Sequence, residues 1–417
     1  MKKIWSAILI SVLFLSSSVR AGQESRPEQS KSHHHVLNLS LAFPLSTNSS
    51  KMDSANVNLT LFYGRMGSVR GLDLALAFTG LESSLEGVQL AGLAGVAGDS
   101  MTGWQLAGLL CVAGDRGQGV QLAGIGSVAG EEFSGFQAAG LFSVAGEHLE
   151  GAQLSGLFSV AGENATGFQA SGLFSVAGEH LKGFQASGLF SVAGGNLLGV
   201  QLSGLFNVAG EDSLGLQVAG LANITGETCR GIQVSPFNVA GHLKGMQIGL
   251  VNVARNLDGI PVGLVNLTRK EDRRVRLAAW AGNVSLANVG VKIWAKRFYS
   301  ILYAGASNLT QDSHSCLAYG FQYGYSVPVG KTAGSSGRTL RLDIDAGYAY
   351  LDNSTVFRHT EGTLDRRVLS LRGSLAVELS RSVSIFAGTG LGYRIDYGTN
   401  FASGKASLLI FGGVELF

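Results

Sequence analysis

Two hydropathy periods divide this chain. Between Gly71 and Asp258 one unit recurs, G-φ-Q-[LA]-[AS]-G-L-[FAL]-[SN]-V-A-G-[DE]-x-x-x, with Gly87, Gly103, Gly119, Gly135, Gly151, Gly167, Gly183, Gly199, Gly215 and Gly231 sixteen residues apart. So short a unit cannot enclose a core, and successive units must bury their apolar columns against one another in a stacked array. After Gly231 the period falls to fourteen (Gly231, Gly245, Gly259), because Ala-Gly contracts to Gly in Gln247-Ile248-Gly249-Leu250 and one residue leaves the turn. Removing a residue from a continuous strand would turn every later side chain to the opposite face, so a corner is expected at that glycine. Each unit therefore reads as two short strands, G-φ-Q-φ and L-φ-S-V-A, closed by a turn at Gly-Asp or Gly-Glu. Stacking at about 4.8 Å puts Leu93, Leu109, Ile125, Leu141, Leu157, Leu173, Leu189 and Leu205 in one row and Val96, Val112, Val128, Val144, Val160, Val176, Val192 and Val208 in another. The Leu row is expected inside and the turn carrying Glu179 in solvent. The alternation of Phe168, Ala170, Phe174 and Val176 with Gln169, Ser171 and Ser175 also fits lipid-facing strands of one large barrel. The uniform period favours the solenoid, since an up-and-down barrel has unlike turns at its two ends.

Outside the array the period is two. Leu37, Leu39, Leu41 and Phe43 oppose Asn38 and Ser40, and Val57, Leu59, Leu61 and Tyr63 oppose Asn58 and Thr60. From Ala287 onward Leu340, Leu342, Ile344, Ala346, Tyr348 and Tyr350 oppose Thr339, Arg341, Asp343 and Asp345; Leu369, Leu371, Leu375, Val377 and Leu379 oppose Ser370, Arg372, Ser374 and Glu378. Leu317, Tyr319, Phe321, Tyr323 and Tyr325 oppose Ala318, Gly320, Gln322, Gly324 and Ser326. Runs of roughly ten to thirteen residues suffice to cross a bilayer at a tilt, with the aromatic face toward lipid and Arg341, Asp343, Asp345, Arg372 and Glu378 paired in the lumen. The expected architecture is all-β: a β-solenoid-like array of 14–16-residue repeats, with antiparallel flanking strands forming a small outer-membrane-type β-barrel. The divisions are 1–21 signal peptide, 22–35 polar linker, 36–70 two strands, 71–270 array and 271–417 barrel strands.

The start places Lys2 and Lys3 before an apolar run from Ile4 to Leu15 and small residues at Val19 and Ala21, the pattern of an export signal cleaved before Gly22. Only 14% of residues are charged, against roughly 25% in average usage, and the 60 glycines take their place. With net charge +2 and no basic cluster alternating with aromatics, a nucleic-acid partner has no electrostatic footprint. Cys111, Cys229 and Cys316 read as small buried residues. The linker carries Pro27 and His33-His34-His35, which read as solvated.

Two features carry a resemblance. The alternating strand Leu408-Leu409-Ile410-Phe411-Gly412-Gly413-Val414-Glu415-Leu416-Phe417 is similar to the C-terminal sorting signal of bacterial outer-membrane barrels, departing from it at Glu415. The units Gly245-Met246-Gln247-Ile248-Gly249-Leu250-Val251-Asn252-Val253-Ala254 and Gly259-Ile260-Pro261-Val262-Gly263-Leu264-Val265-Asn266-Leu267, with the opening Phe43-Pro44 and Asn58-Leu59-Thr60-Leu61-Phe62-Tyr63-Gly64, resemble the surface-repeat proteins of Gram-negative bacteria. That resemblance spans most of residues 36 to 310. It implies an exported outer-membrane protein and transfers no catalytic residues.

The candidate chemistry is sparse. Gln89, Gln105, Gln121, Gln137, Gln153, Gln169, Gln185, Gln201, Gln217, Gln233 and Gln247 form one column, which reads as an amide ladder. Asp99, Asp115, Glu131, Glu147, Glu163, Glu179, Glu211 and Glu227 supply one carboxylate per coil, too few for calcium ligation, and read as solvated turns. Phe142, Phe158, Phe174, Phe190 and Phe206 form an aromatic row, either core or, if exposed, a stripe for a partner. Arg273-Arg274-Val275-Arg276 after Lys270 reads as a polar loop. The sequence has no G-x-S-x-G and no H-E-x-x-H, and no catalytic, cofactor-binding or metal-binding residue is expected. The reading is a structural or binding protein of the outer membrane. Its expected partners are membrane lipid, the barrel-assembly machinery through the strand ending in Phe417, and an unidentified surface ligand. The rival is a pore in which the repeats are transmembrane strands of one large barrel.

Overall fold

A computed structural model describes residues 32–269, 273–283, 286–307, 316–331, 339–352, 365–380, 382–397 and 402–416. The segment expected as an export signal, nearly all of the expected linker, Lys270 and Phe417 lie outside the described residues. The chain divides into two compact units, residues 1–226 and 227–417.

The first unit is a parallel β-solenoid. From Val69 onward each coil of this unit pairs in register with the next at a sixteen-residue offset, so Val160 stands beside Val176 and Gln137 beside Gln153. An eight-residue strand such as His148–Ser155 alternates with a four-residue strand such as Phe158–Ala161. The first glycine of each unit bends the longer strand: Gly151 has φ of +127°, open to glycine and strained for any L side chain. The strands His34–Ala42 and Ser54–Met66 pair with each other in parallel, and the latter pairs with Ser68–Ala75 and Phe78–Leu81. They are therefore the first coils of the solenoid, with no part in a barrel. The strand His34–Ala42 also extends into the segment expected as linker.

The interior corrects the sequence reading of inside and outside. The Leu row faces outward at the corner of the coil, with Leu141 43% exposed. The buried columns are instead Gln89 to Gln217, the Ser column from Ser127 to Ser191, the Ala column from Ala97 to Ala209, and a mixed apolar column containing Leu85, Met101, Phe133, Leu149, Leu181 and Leu197. Gly117 occupies that last column, and the Phe133 ring fills the space a side chain there would need. The first coils follow the same rule: Asn38 and Asn58 are buried while Leu37 and Leu39 are exposed.

The glutamines from Gln89 to Gln217 tolerate this position because each is satisfied within the stack. Gln137 Nε2 donates to Gln121 Oε1 at 2.8 Å and to Val144 O at 3.2 Å, and Gln153 repeats both bonds one coil on. The Ser hydroxyls donate to carbonyls of the next coil, as Ser143 does to Leu154 O at 3.0 Å. Cys111 occupies this column and directs Sγ at Leu122 O in the same way; burial pushes its thiol up to about 12. The ladder has a polarity. Every Gln from Gln105 to Gln217 donates toward the N-terminus, ending on Gln89, which donates to Asp73 Oδ2 at 2.8 Å. From the other side Asn38 donates to Asn58, and Asn58 donates to Asp73 Oδ1 at 2.7 Å. Two donor chains of opposite sense converge there, and only a group with acceptors alone can end both. Burial raises the Asp73 carboxyl, opposed by the bonds from Gln89, Thr79 and Asn58.

The second unit contains fourteen-residue coils and a closed barrel. Met246–Leu257 is one strand in which Gln247 and Asn252 are both buried, so the alternation slips once between them, next to Gly249. The change of face falls at the glycine where the contraction predicted it, but it is taken up within one continuous strand and not at a corner. Here Asn replaces Ser, and Asn238 donates to Asn252 and Asn252 to Asn266, opposite in sense to the Gln ladder. The ladder ends on the barrel, where Asn266 Nδ2 donates to Ser300 Oγ at 3.1 Å.

The barrel comprises Arg273–Gly282, Ala287–Ala295, Phe298–Ser307, Cys316–Lys331, Thr339–Asp352, Asp365–Glu378, Val383–Tyr397 and Ala402–Leu416, all antiparallel and closed by pairing of the first with the last. The repeat strands are no part of it. This removes the structural basis of the single-large-barrel reading. The basic cluster is also corrected: Arg273 to Arg276 lie in a strand, and Arg276 is buried among Ser384, Glu378 and Glu415.

Candidate functional site

The most developed concavity among the described residues is a groove of ≈ 1630 Å³ along the first unit. Its floor is the column immediately after the buried glutamines, with Leu74, Leu90, Leu106, Leu122 and Leu154 at successive coils and Ala138 and Ala170 between or beyond them. Because Gln points inward, the next residue must point outward. Small corner residues such as Gly92, Gly108 and Gly124 hold the walls back, and an overhang of Leu39, Leu41 and Leu45 closes one end. The overhang is set by a reversal in which Leu45–Ser46 pairs antiparallel with the first strand.

None of the lining residues is charged. Nor is the floor a free strand edge: Gly92, Gly108 and Gly124 donate their amides to Ala75, Ala91 and Ala107 of the preceding coils. An extended peptide would leave its own backbone groups unpaired here. The groove offers mainly dispersion contact, with hydroxyls such as Ser46, Thr47, Ser155 and Ser171 in its lining.

Around the corner the aromatic row is also outward. Phe158, Phe174, Phe190 and Phe206 stack at centroid separations of 6.4, 5.4 and 5.4 Å, so each ring covers part of its neighbours. A second pair, Phe168 and Phe184, stacks at 5.1 Å. The acidic column lies on the remaining edge, where Asp99 accepts from Ser83 Oγ. Among the described residues no three His, Cys, Asp or Glu converge as metal ligands.

Two of the three histidines in the run, His33 and His35, are brought to one carboxylate, while His34 Nδ1 lies 2.9 Å from Ser54 Oγ. Asp53 is buried, accepts from the amides of His33, Ser49 and Ser50, and lies 3.5 Å from His35 Nε2. Burial raises its carboxyl, but those amides and His35 outweigh it and hold Asp53 below the ordinary aspartate range. This cluster pins the first strand to the stack.

The barrel interior holds a closed ion network. Lys292 Nζ donates to Asp343 at 2.9 Å and Glu415 at 2.8 Å; Arg276 and Arg341 also bond Glu415, and both reach Glu378. Arg372 donates to Asp345 at 2.7 Å, which also accepts from Tyr299. Lys292 sits 3.8 Å from the Tyr299 ring centroid and 4.5 Å from that of Trp294. The free space among Lys292, Asp343 and Glu415 is ≈ 10 Å³. Arg341, Asp343, Asp345 and Arg372 are thus brought together in the lumen as the alternation implied. Lys292, Arg276 and Glu415 join them, and Glu415 is explained by strand parity, since Leu408, Ile410 and Leu416 face outward. The groove column was not singled out from sequence, although the step from Gln to the next residue contained the signal. No family model matches this chain, and no curated protein or solved structure matches it either.

Proposed function

We propose that this protein is a non-catalytic binding protein seated in an outer membrane, whose barrel lies in lipid and whose solenoid groove takes the hydrocarbon part of an amphiphile. The barrel's reversed polarity carries the reading. Leu371, Leu375, Leu391 and Ile410 are more than half exposed on its outside, whereas Lys292, Asp343, Asp345 and Glu415 are sealed inside. In water that arrangement exposes a broad apolar belt, and in a bilayer it matches the surroundings. Tyr319, Tyr348 and Tyr393 add amphipathic rings to the outer face. The export signal and the resemblance to surface-repeat proteins point to the same compartment.

The groove supports the binding role. Uncharged, apolar and without a peptide-binding edge, it suits an acyl chain lying along the coils. The filled lumen speaks against a conducting pore.

Two measurements test the reading. Carbonate washing of membranes should leave the full chain in the pellet, and release into the supernatant would sink the membrane placement. A fluorescent fatty acid should bind the detergent-solubilised protein, and Leu106→Glu should abolish that binding while the circular dichroism stays unchanged. Equal binding by the variant would remove the groove from the proposal.

A further inference from the structure

The two ends of the barrel are not equivalent. At one end the chain arrives at Arg273 from the last coil, and the strand connections there are 296–297, 332–338 and 379–382. At the other end they are 283–286, 308–315, 353–364 and 398–401, including the two longest of the set. Outer-membrane barrels keep short turns on the periplasmic side and place their longer loops outside.

The coils of the second unit stack on the short-turn end. Its tightest hairpin, Ala295-Lys296-Arg297-Phe298, caps their interior: Ala295 packs in one cluster with Leu243 and Leu257, and Phe298 lies against it. Lys296, at φ of +59°, turns its Nζ onto Leu257 O at 2.9 Å and Asp258 Oδ1 at 2.7 Å. Ser300 Oγ donates to Gly263 O at 2.8 Å. These contacts fix on which side of the barrel the coils lie.

We infer that the solenoid coils face the periplasm, so that the repeat array is an inward-facing module of the outer membrane. The inference rests on the membrane reading above. The resemblance to surface-repeat proteins leaves that sidedness open. No strand between His34 and Leu267 belongs to the barrel, so the apolar groove shares that compartment and draws its amphiphile from the periplasmic side.

Cysteine accessibility in a Gram-negative host decides it. In the full chain with Cys111, Cys229 and Cys316 replaced by Ser, Arg255→Cys places one reporter on an exposed position of the coils. A second variant carries a peptide tag inserted between Asp352 and Asp365. A membrane-impermeant maleimide should label Arg255→Cys only after the outer membrane is permeabilised, whereas antibody should reach the tag on intact cells. Labelling of Arg255→Cys on intact cells, with the chain still resistant to carbonate, overturns the sidedness and leaves the membrane reading standing. Release of the chain by carbonate overturns both. Retention of the chain with the tag hidden on intact cells also defeats the inference, because the long connections would then not be external.

Discussion

Solenoid and barrel both bury polar columns, the solenoid beside apolar ones, yet the buried polar groups differ in chemistry. The solenoid uses neutral amides and hydroxyls; the barrel uses full charges. The pairing geometry accounts for the difference. Parallel in-register stacking sets each residue beside its own copy, so a buried polar column must be built from a group that can bond to itself or to nearby backbone. An amide carries donor and acceptor together and meets that demand, whereas a column of buried carboxylates at the same spacing would repel. Antiparallel strands in a closed barrel bring unlike residues together across the lumen. Lys292 can then lie between Asp343 and Glu415, which come from distant strands. Asp73 tests the rule from within the solenoid, since a lone carboxylate is tolerated where two donor chains end.

The comparison can be broken at its strongest point first. Glu415→Ala strips the shared acceptor from Lys292, Arg276 and Arg341 and leaves buried cations underpaired, a loss expected to cost about 3–5 kcal/mol. Urea unfolding followed through Trp280 and Trp294 would show it, and a midpoint unchanged from the parent would mean that the network contributes nothing. Within the solenoid, Leu149→Ala should cost about 2–5 kcal/mol because Leu149 is buried. Leu141→Ala, on the outward corner, should stay within about 0.5 kcal/mol. Equal losses for the two would restore the Leu row to the interior.

A smaller effect sharpens the amide rule. Gln137→Leu orphans the Oε1 of Gln121 and one N–H of Gln153, at roughly 1–3 kcal/mol for each buried group left unpaired. Hydrogen exchange should then rise in the coils on both sides, and a disturbance confined to one coil would argue against coupling along the ladder.

The smallest effect concerns the first strand. Asp53 titrates below its unfolded value, so its contribution is present above the ordinary aspartate range and is lost as pH falls through the depressed folded value. Proteolysis near His33 to His35 should increase only in that acid window, and Asp53→Asn should remove the pH dependence. Release of the strand at neutral pH instead would assign the effect to another group.

Much of this organisation was legible in the chain. A strict period can have only one self-consistent register, so Val160 beside Val176 followed from counting. The alternation of Arg341, Asp343 and Asp345 with leucines likewise separated two faces of a barrel strand. The candidate groove was only half legible. Leu90, Leu106 and Leu122 stood beside Gln89, Gln105 and Gln121, but nothing local said which of the two points inward.

Periodicity by itself determined the stacked array, its register, the slip at Gly249 and the two-faced strands that follow, because each depends on spacing along one chain. Only the tertiary structure decided which face is inside. Alternation divides side chains into two sets without ranking them, and Gln becomes a stable interior residue only when a neighbouring coil supplies its partner. The same holds for Glu415, whose three cations come from other strands, and for the hairpin at Lys296 that caps the coils: long-range contacts set their energies, and no local pattern encodes them.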